Sequence, residues 1–341
     1  MAQGPPSTPL LEGGFDHLGP AVRHTRVASG RDVRFVDEGD LAWTPLLVFG
    51  GAGTSVRAVG LLEFARSLRE ELQVRLLSVE RNGLGQTSFD PALGYAEYAA
   101  DVWCLLDQLS VETVSLAAIS GGGPYLAHVA ALHPERVRSV HLACAFAERL
   151  GAEPAPWSVE SIVADPVAWW TFPPDSQVHR IPGFVDAAVD EAVRAVFARG
   201  PGAAEEGLRH AFDLYDRVSL PDVSSVVAPV FLYWGTEDTL VPMAQLRRWE
   251  GALANVSMRR IYDGEAHDVQ YRHWDQLVCD AATLGQCVVV SEGGKTLLVP
   301  GAQAEERIEA GATLGMAAWA ERWQATAAGR AGEPLRRRWP P

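Results

Sequence analysis

Apolar runs of strand length alternate along the chain with longer stretches in which apolar positions recur every three or four residues. Residues 45–49, 74–79, 114–119, 137–143, 230–234 and 256–261 form the strand-like runs, most of them nearly continuous rather than alternating in polarity. A continuous run marks a strand buried on both faces, as in a parallel sheet covered by helices. Between them, residues 56–72, 95–109 and 124–132 carry helical spacing; Ala99, Val102, Leu105, Leu106 and Leu109 share one face of the second. Residues 24–27 and 33–36, joined by the Ser29-Gly30-Arg31-Asp32 turn, predict an antiparallel pair at the start. The expected fold is α/β: a mostly parallel eight-stranded sheet with helices on both faces.

The alternation stops after the sixth strand. From Glu148 to Leu220 no strand pattern occurs, while 185–198 and 203–215 read as helices and Trp157, Trp169, Trp170 and Phe172 cluster. A helical insertion between two strands of one sheet reads as a lid. The expected organisation is a core in two parts, 22–147 and 221–284, a lid over 148–220, a small extension over 285–328 and a disordered tail over 329–341. The extension contains a hairpin, with 287–290 and 295–299 flanking Ser291-Glu292-Gly293-Gly294, and helical stretches over 302–310 and 316–325.

Charge narrows the function. A net charge of −14 leaves no basic stripe for a nucleic-acid backbone; the one dense cationic run is Arg336-Arg337-Arg338. The opening residues lack a secretory pattern and no window reaches a membrane span, so a cytoplasmic protein without nucleic-acid or membrane partners is expected. The four cysteines, Cys104, Cys144, Cys279 and Cys287, are spaced irregularly, which argues against a disulfide framework or a zinc site. A Cys279–Cys287 bridge is left open, and the other cysteines are expected to be packing or surface thiols.

The chemistry centres on Ala118-Ile119-Ser120-Gly121-Gly122-Gly123-Pro124, between a buried strand and a helix. A serine on so sharp a turn is pushed out of the sheet, and only small flanking residues let the turn close. The Gly121 N–H then opens a helix and is aimed at a developing oxyanion. A serine hydroxyl needs a base. Here the segment from Ser120 to Val137 resembles the α/β-hydrolase superfamily, in its serine-dependent branch, and the resemblance runs from about Val33 to Tyr271. It departs at Ala118, where the G-x-S-x-G pattern has glycine. Leu232 to Pro242 resembles the family's acid loop, and Tyr262 to Asp268 the loop bearing its histidine.

The resemblance implies Ser120 as nucleophile, His267 as base and Asp238 as the carboxylate orienting that base, in the chain order Ser, Asp, His. Glu237 and Glu148 are the other acids near strand ends. His128, His133 and His210 are read as core, surface or lid residues, and His273 lies too far past the strand end. Gly50-Gly51-Ala52-Gly53 stands where relatives often have His-Gly, which implies Ala52 N–H as the second oxyanion donor without the histidine that usually orients the loop. The loop from Glu80 to Thr87 also resembles the family's and is read as structural. Trp169 and Trp170 are candidates for the acyl pocket. No metal or organic cofactor is expected. The implied activity on a small-molecule substrate is hydrolysis of an ester, lactone or thioester. Acyl transfer, C–C bond hydrolysis or a silent ligand-binding scaffold are the alternatives.

Overall fold

The computed structural model describes residues 19–148, 159–164, 172, 176–197 and 203–317. Eight strands form one sheet: β1 (Val22–Arg26), β2 (Asp32–Glu38), β3 (Thr44–Phe49), β4 (Val74–Val79), β5 (Val114–Ile119), β6 (Val137–Ala143), β7 (Val230–Gly235) and β8 (Val256–Tyr262). Their order is β1-β2-β4-β3-β5-β6-β7-β8. The two pairs involving β2 are antiparallel and every other pair is parallel, as the run pattern predicts. Every residue of β4, β5 and β7 is buried, which explains why these strands show no polar alternation.

Helices Tyr95–Gln108 and Gly123–Leu132 pack on each other and on the sheet, and Arg66–Glu71 packs against Trp274–Thr283 in a second group. One expected element differs. Residues 56–72 are a 3₁₀ segment, Val56–Ala65, followed by a short α-helix, Arg66–Glu71. Apolar residues surround the 3₁₀ segment, with Val56, Val59, Leu61, Leu62 and Phe64 all buried, so no single helical stripe distinguishes one winding from the other.

Between β6 and β7 lie helices Val159–Ala164, Phe184–Phe197 and Ala203–Arg217. Several bonds fasten this insertion to the core. Ser55 Oγ donates to Glu191 Oε1 at 3.0 Å, and Ser176 Oγ and Gln177 N both donate to Asp268 Oδ2 at 2.7 Å. His210 donates to the Leu93 carbonyl at 2.7 Å and stands edge-on to Phe89, so it fastens the insertion to the loop before helix Tyr95–Gln108. Gly207 crosses the 81–87 loop at Gly83 so closely that a Cβ on either would sit under 3 Å from the other's backbone.

After the sheet, β9 (Cys287–Glu292), β10 (Lys295–Pro300) and β11 (Thr313–Leu314) form a second sheet in the order β10-β9-β11, with helix Gly301–Glu309. Gly293 and Gly294 both take positive φ, 56° and 74°, the conformation a two-residue hairpin turn requires. Cys279 and Cys287 are free thiols; Cys279 Sγ instead lies 3.5 Å from the Cys287 carbonyl. Residues 318–325 of the expected last helix, and the tail over 329–341, lie outside the described residues.

Candidate active site

Ser120 follows β5 directly and holds φ at +49°, left-handed space that a side-chain-bearing residue enters only when its surroundings impose it. The neighbouring glycines show what imposes it. A Cβ on Gly122 would lie 2.2 Å from the Phe49 carbonyl oxygen, and one on Gly123 would lie 1.9 Å from that of Phe146. The elbow is thus pressed between the ends of β3 and β6, and Phe146 N donates to the Ser120 carbonyl at 2.8 Å. Ala118 is fully buried beneath it, so alanine fits where the family more often has glycine.

The acid and the histidine come from the ends of β7 and β8. A Cβ on Gly235 would strike the Glu265 carbonyl at 2.1 Å, so glycine is what lets these two loops meet. Thr236 N to Tyr262 O and Glu237 N to Glu265 O, at 3.0 and 2.9 Å, stitch them together. On the far side Glu265 pairs with Arg272 at 2.9 Å and with His273, itself stacked on Tyr262, at 2.8 Å. His273 is therefore a brace of the histidine loop.

Within this frame His267 Nε2 lies 3.0 Å from Ser120 Oγ, and His267 Nδ1 lies 2.8 Å from Asp238 Oδ2. Asp238 is fully enclosed, its side chain 0% exposed, whereas His267 keeps 15% and Ser120 is half-buried, open to an incoming molecule. The other Asp238 oxygen accepts the Leu240 and Val241 N–H groups at 2.9 and 2.8 Å. Those bonds fix the carboxylate's direction. Of the competing acids, Glu237 is exposed, and Glu148 pairs with Arg248. The structure brings Ser120, His267 and Asp238 together and neither alternative.

Sequence reasoning took Cys144 as packing or a surface thiol. It sits at the end of β6 with φ of +44°, and its thiol lies within 4.8 Å of an Asp238 carboxylate oxygen. Burial foremost, and then the neighbouring Asp238 charge, push this thiol well above its ordinary range, so it is a neutral S–H donor. Cys144, Asp238 and His267 offer ligand atoms within 4.8 Å of one another, the one such group among the described residues. A thiol held protonated is a poor metal ligand, and the Asp238 and His267 atoms are engaged with each other. The signal available in the sequence was the position of Cys144, at the end of a strand adjacent to the acid strand.

The loop after β3 lies against the serine. A Cβ on Gly51 would be 3.5 Å from Ser120 Cβ, and one on Gly121 would be 2.9 Å from Ala52 N, so the backbones of Ala52 and Gly121 lie side by side next to the serine. Ala52 N–H makes no hydrogen bond among the described residues, and the Gly121 N–H lies at the unsatisfied start of a helical turn. Tyr215, from the insertion, donates to the Gly121 carbonyl at 2.8 Å. Trp169 and Trp170 lie outside the described residues. A small cavity lies behind the loop, bordered by Gly50, Gly51, Thr54, Arg81, Tyr98 and Tyr271; Ser120 does not line it.

A serine on a sharp strand-to-helix turn of a mostly parallel sheet, with a carboxylate and a histidine at the ends of later strands, is the arrangement of an α/β hydrolase. The chain belongs to that family: residues 44–273 match the model for the alpha/beta hydrolase fold. An uncharacterized hydrolase, YcgS, of Bacillus subtilis is 25% identical over 224 residues, 59% of this chain and 77% of its own length. Among solved structures, an enol-lactonase from Burkholderia xenovorans LB400 superposes with a TM-score of 0.60 at 19% identity, covering 76% of this chain and 100% of that one. The esterase RhEst1 from Rhodococcus sp. ECU1013 gives 0.57 at 18%, covering 77% and 98%. No helix among the described residues is long and apolar enough to cross a membrane.

Proposed function

We propose that this hydrolase cleaves an ester, lactone or thioester of a small organic substrate through an acyl-enzyme formed on Ser120. The observation that carries the reading is the continuous line from Ser120 Oγ to His267 Nε2 at 3.0 Å and from His267 Nδ1 to Asp238 at 2.8 Å, on a left-handed elbow. Ser120 Oγ adds to the substrate carbonyl carbon while His267 Nε2 takes its proton. Asp238 stabilises the resulting imidazolium and holds the tautomer in which Nε2 is free to accept. The Ala52 and Gly121 N–H groups receive the carbonyl oxygen as it becomes an oxyanion. Collapse of the adduct breaks the bond to the leaving alcohol or thiol, which takes the proton back from His267, and water repeats the sequence to release the acid. The enol-lactonase and esterase among the structural neighbours support this substrate class. The helices between β6 and β7 act as a lid bearing the acyl pocket.

The test pairs labelling with turnover. A fluorophosphonate phosphonylates a serine only when a base has activated it and oxyanion donors are in place, so it reads the assembled site without its natural substrate. The expected result is one adduct on the peptide containing Ser120, absent in Ser120→Ala and suppressed in His267→Ala, together with hydrolysis within a panel of p-nitrophenyl esters, lactones and thioesters. Folded wild-type protein that is neither labelled nor active would move the assignment to a silent ligand-binding scaffold.

A further inference from the structure

Arg81, just beyond β4, is 3% exposed, yet no carboxylate lies within ion-pair distance of it among the described residues. Its neighbour Glu80 turns its carboxylate to Val56 N–H instead, at 3.2 and 3.3 Å. A buried cation with no carboxylate in direct contact is expensive to keep, so what its donors are spent on is informative. One terminal nitrogen, Nη2, donates to the Gly51 carbonyl at 2.6 Å, to the Thr54 carbonyl at 2.8 Å and to Thr54 Oγ1 at 3.1 Å. The other, Nη1, is buried and has no hydrogen-bond partner among the described residues. The guanidinium lies over the Tyr125 ring, 5.1 Å from its centroid.

The Gly51 carbonyl is half of one peptide group whose other half is the Ala52 N–H. Because the peptide is planar and trans, the N–H points opposite to the C=O, and fixing one end aims the other. Thr54 adds two donors to the same oxygen, Oγ1 at 2.9 Å and N at 3.3 Å. Three donors, one of them cationic, thus draw electron density toward the Gly51 oxygen and leave the Ala52 N–H more positive, as happens in any chain of hydrogen bonds in a low-dielectric interior. Room for this arrangement is specific to the loop: a Cβ on Gly50 would collide with Thr54 Oγ1 at 2.4 Å.

We infer that Arg81 is a positioning residue of the oxyanion hole, which aims and polarises the Ala52 N–H through the Gly51 carbonyl and supplies a buried positive charge that the substrate's oxyanion neutralises. It does the orienting work that the loop lacks through the absence of a histidine before Gly51. The inference rests on the acyl-enzyme reading above. Because the oxyanion's negative charge exists only in the transition state and the tetrahedral adduct, the contribution of Arg81 falls on the chemical step and not on substrate binding.

The experiment measures kcat, KM and the second-order rate of fluorophosphonate labelling for wild type, Arg81→Met, Arg81→Lys and Arg81→Ala with and without added guanidinium, with thermal transitions alongside. Removing a direct oxyanion donor costs about 10²–10³ in kcat. Arg81 acts at one remove, and its loss to Met is expected to lower kcat and the labelling rate by about 10–100-fold with KM within about threefold. Lysine should recover part of the loss, and guanidinium should raise the Arg81→Ala rate. A folded Arg81→Met protein with wild-type kcat overturns the inference, and so does a loss confined to KM or to the folded fraction. Should the arginine variants not fold, Thr54→Val and Thr54→Ser read the same carbonyl: Val should cost several-fold in kcat and Ser should restore it, and equal rates for the two would overturn the inference. Wild-type protein that is neither labelled nor active removes the acyl-enzyme reading itself, an outcome distinct from an active enzyme indifferent to Arg81.

Discussion

Replacing Asp238 by Asn isolates the role of the buried carboxylate, because the structure divides its oxygens between two tasks. Oδ1 accepts the Leu240 and Val241 N–H groups, and Oδ2 faces His267 Nδ1 at 2.8 Å. An asparagine can keep its oxygen on the two amides, which places its NH₂ against the imidazole. The histidine must then present a lone pair at Nδ1 and carry its proton on Nε2, where it cannot accept from Ser120. Tautomer reversal of this kind is worth about 10⁴ in kcat in a serine triad. Stability should barely change, since both turn bonds survive. Asp238→Ala, by contrast, leaves two turn donors unpaired at about 1–3 kcal/mol each and should lower the thermal transition as well. The assay is hydrolysis of the best p-nitrophenyl ester from the panel, with circular dichroism melts on the same samples. An Asp238→Asn enzyme retaining a tenth of wild-type kcat would refute the assignment.

Other outcomes follow from the same geometry. Ser120→Ala, His267→Ala and the double variant should each lose about the same several orders of magnitude in kcat/KM, since the pair acts as one unit; additive losses would separate them. Leu208, which lies over Gly53 of the loop after β3, should on truncation to Ala shift preference among acyl chain lengths by about tenfold, the order available from apolar pocket contacts; unchanged selectivity with a lower melting point would make it packing alone. His141 is fully buried between Ser139 and Tyr233, and burial pushes its imidazole down to about 3. The unfolded chain binds a proton there that the folded chain refuses, so stability is full above the ordinary histidine value near 6.5 and falls as pH drops toward about 3. That adds a slope of about 1.4 kcal/mol per pH unit between about pH 6 and 4, which His141→Gln should remove; equal slopes in urea titrations of the two proteins would contradict it.

The difference between what the chain disclosed and what it withheld lies in how far each feature reaches. Ser120, Asp238 and His267 stand at strand ends whose local patterns are written within about ten residues: small residues around the serine, a glycine before the acid, a turn before the histidine. Each can be recognised in isolation. Arg81 cannot, because its role exists only through strand order. β3 lies between β4 and β5, so the loop after it is flanked by the loop carrying Arg81 and the elbow carrying Ser120. Nothing near Glu80-Arg81-Asn82 says which carbonyl the guanidinium will reach, and so the loop reads as structural. Cys144 is a similar case, since its closeness to Asp238 follows from β6 lying beside β7. Tyr215 is farther still, delivered to the Gly121 carbonyl by a helix of the insertion.

The last prediction concerns the extension after Leu284, which the sequence sets apart as a small unit of its own. Its bonds to the core argue that it completes the core. Asp275 and Gln276, both buried on helix Trp274–Thr283, reach into it: Asp275 Oδ2 accepts Met316 N at 2.9 Å, and Gln276 Oε1 accepts Val289 N at 2.9 Å while Nε2 donates to the Cys287 carbonyl at 3.2 Å. Val289 and Met316 pack within the main hydrophobic core. Burial raises the Asp275 carboxyl above its ordinary value, so at neutral pH its ionised form is less favourable in the folded than in the unfolded chain. Asp275→Asn removes that cost but keeps only one of two acceptors, since Oδ1 also accepts Gln276 N at 2.8 Å, and the unpaired N–H at about 1–3 kcal/mol offsets the gain, so its melting temperature at pH 7 should stay near wild type. Met316→Ala should lose about 2–5 kcal/mol, the range for emptying a buried methionine site. Neither residue touches Ser120, His267 or Asp238, so kcat in the folded fraction should stay at the wild-type value. A Met316→Ala protein that melts normally would show the extension to be an independent appendage, and one that melts normally but loses kcat would tie it to the active site.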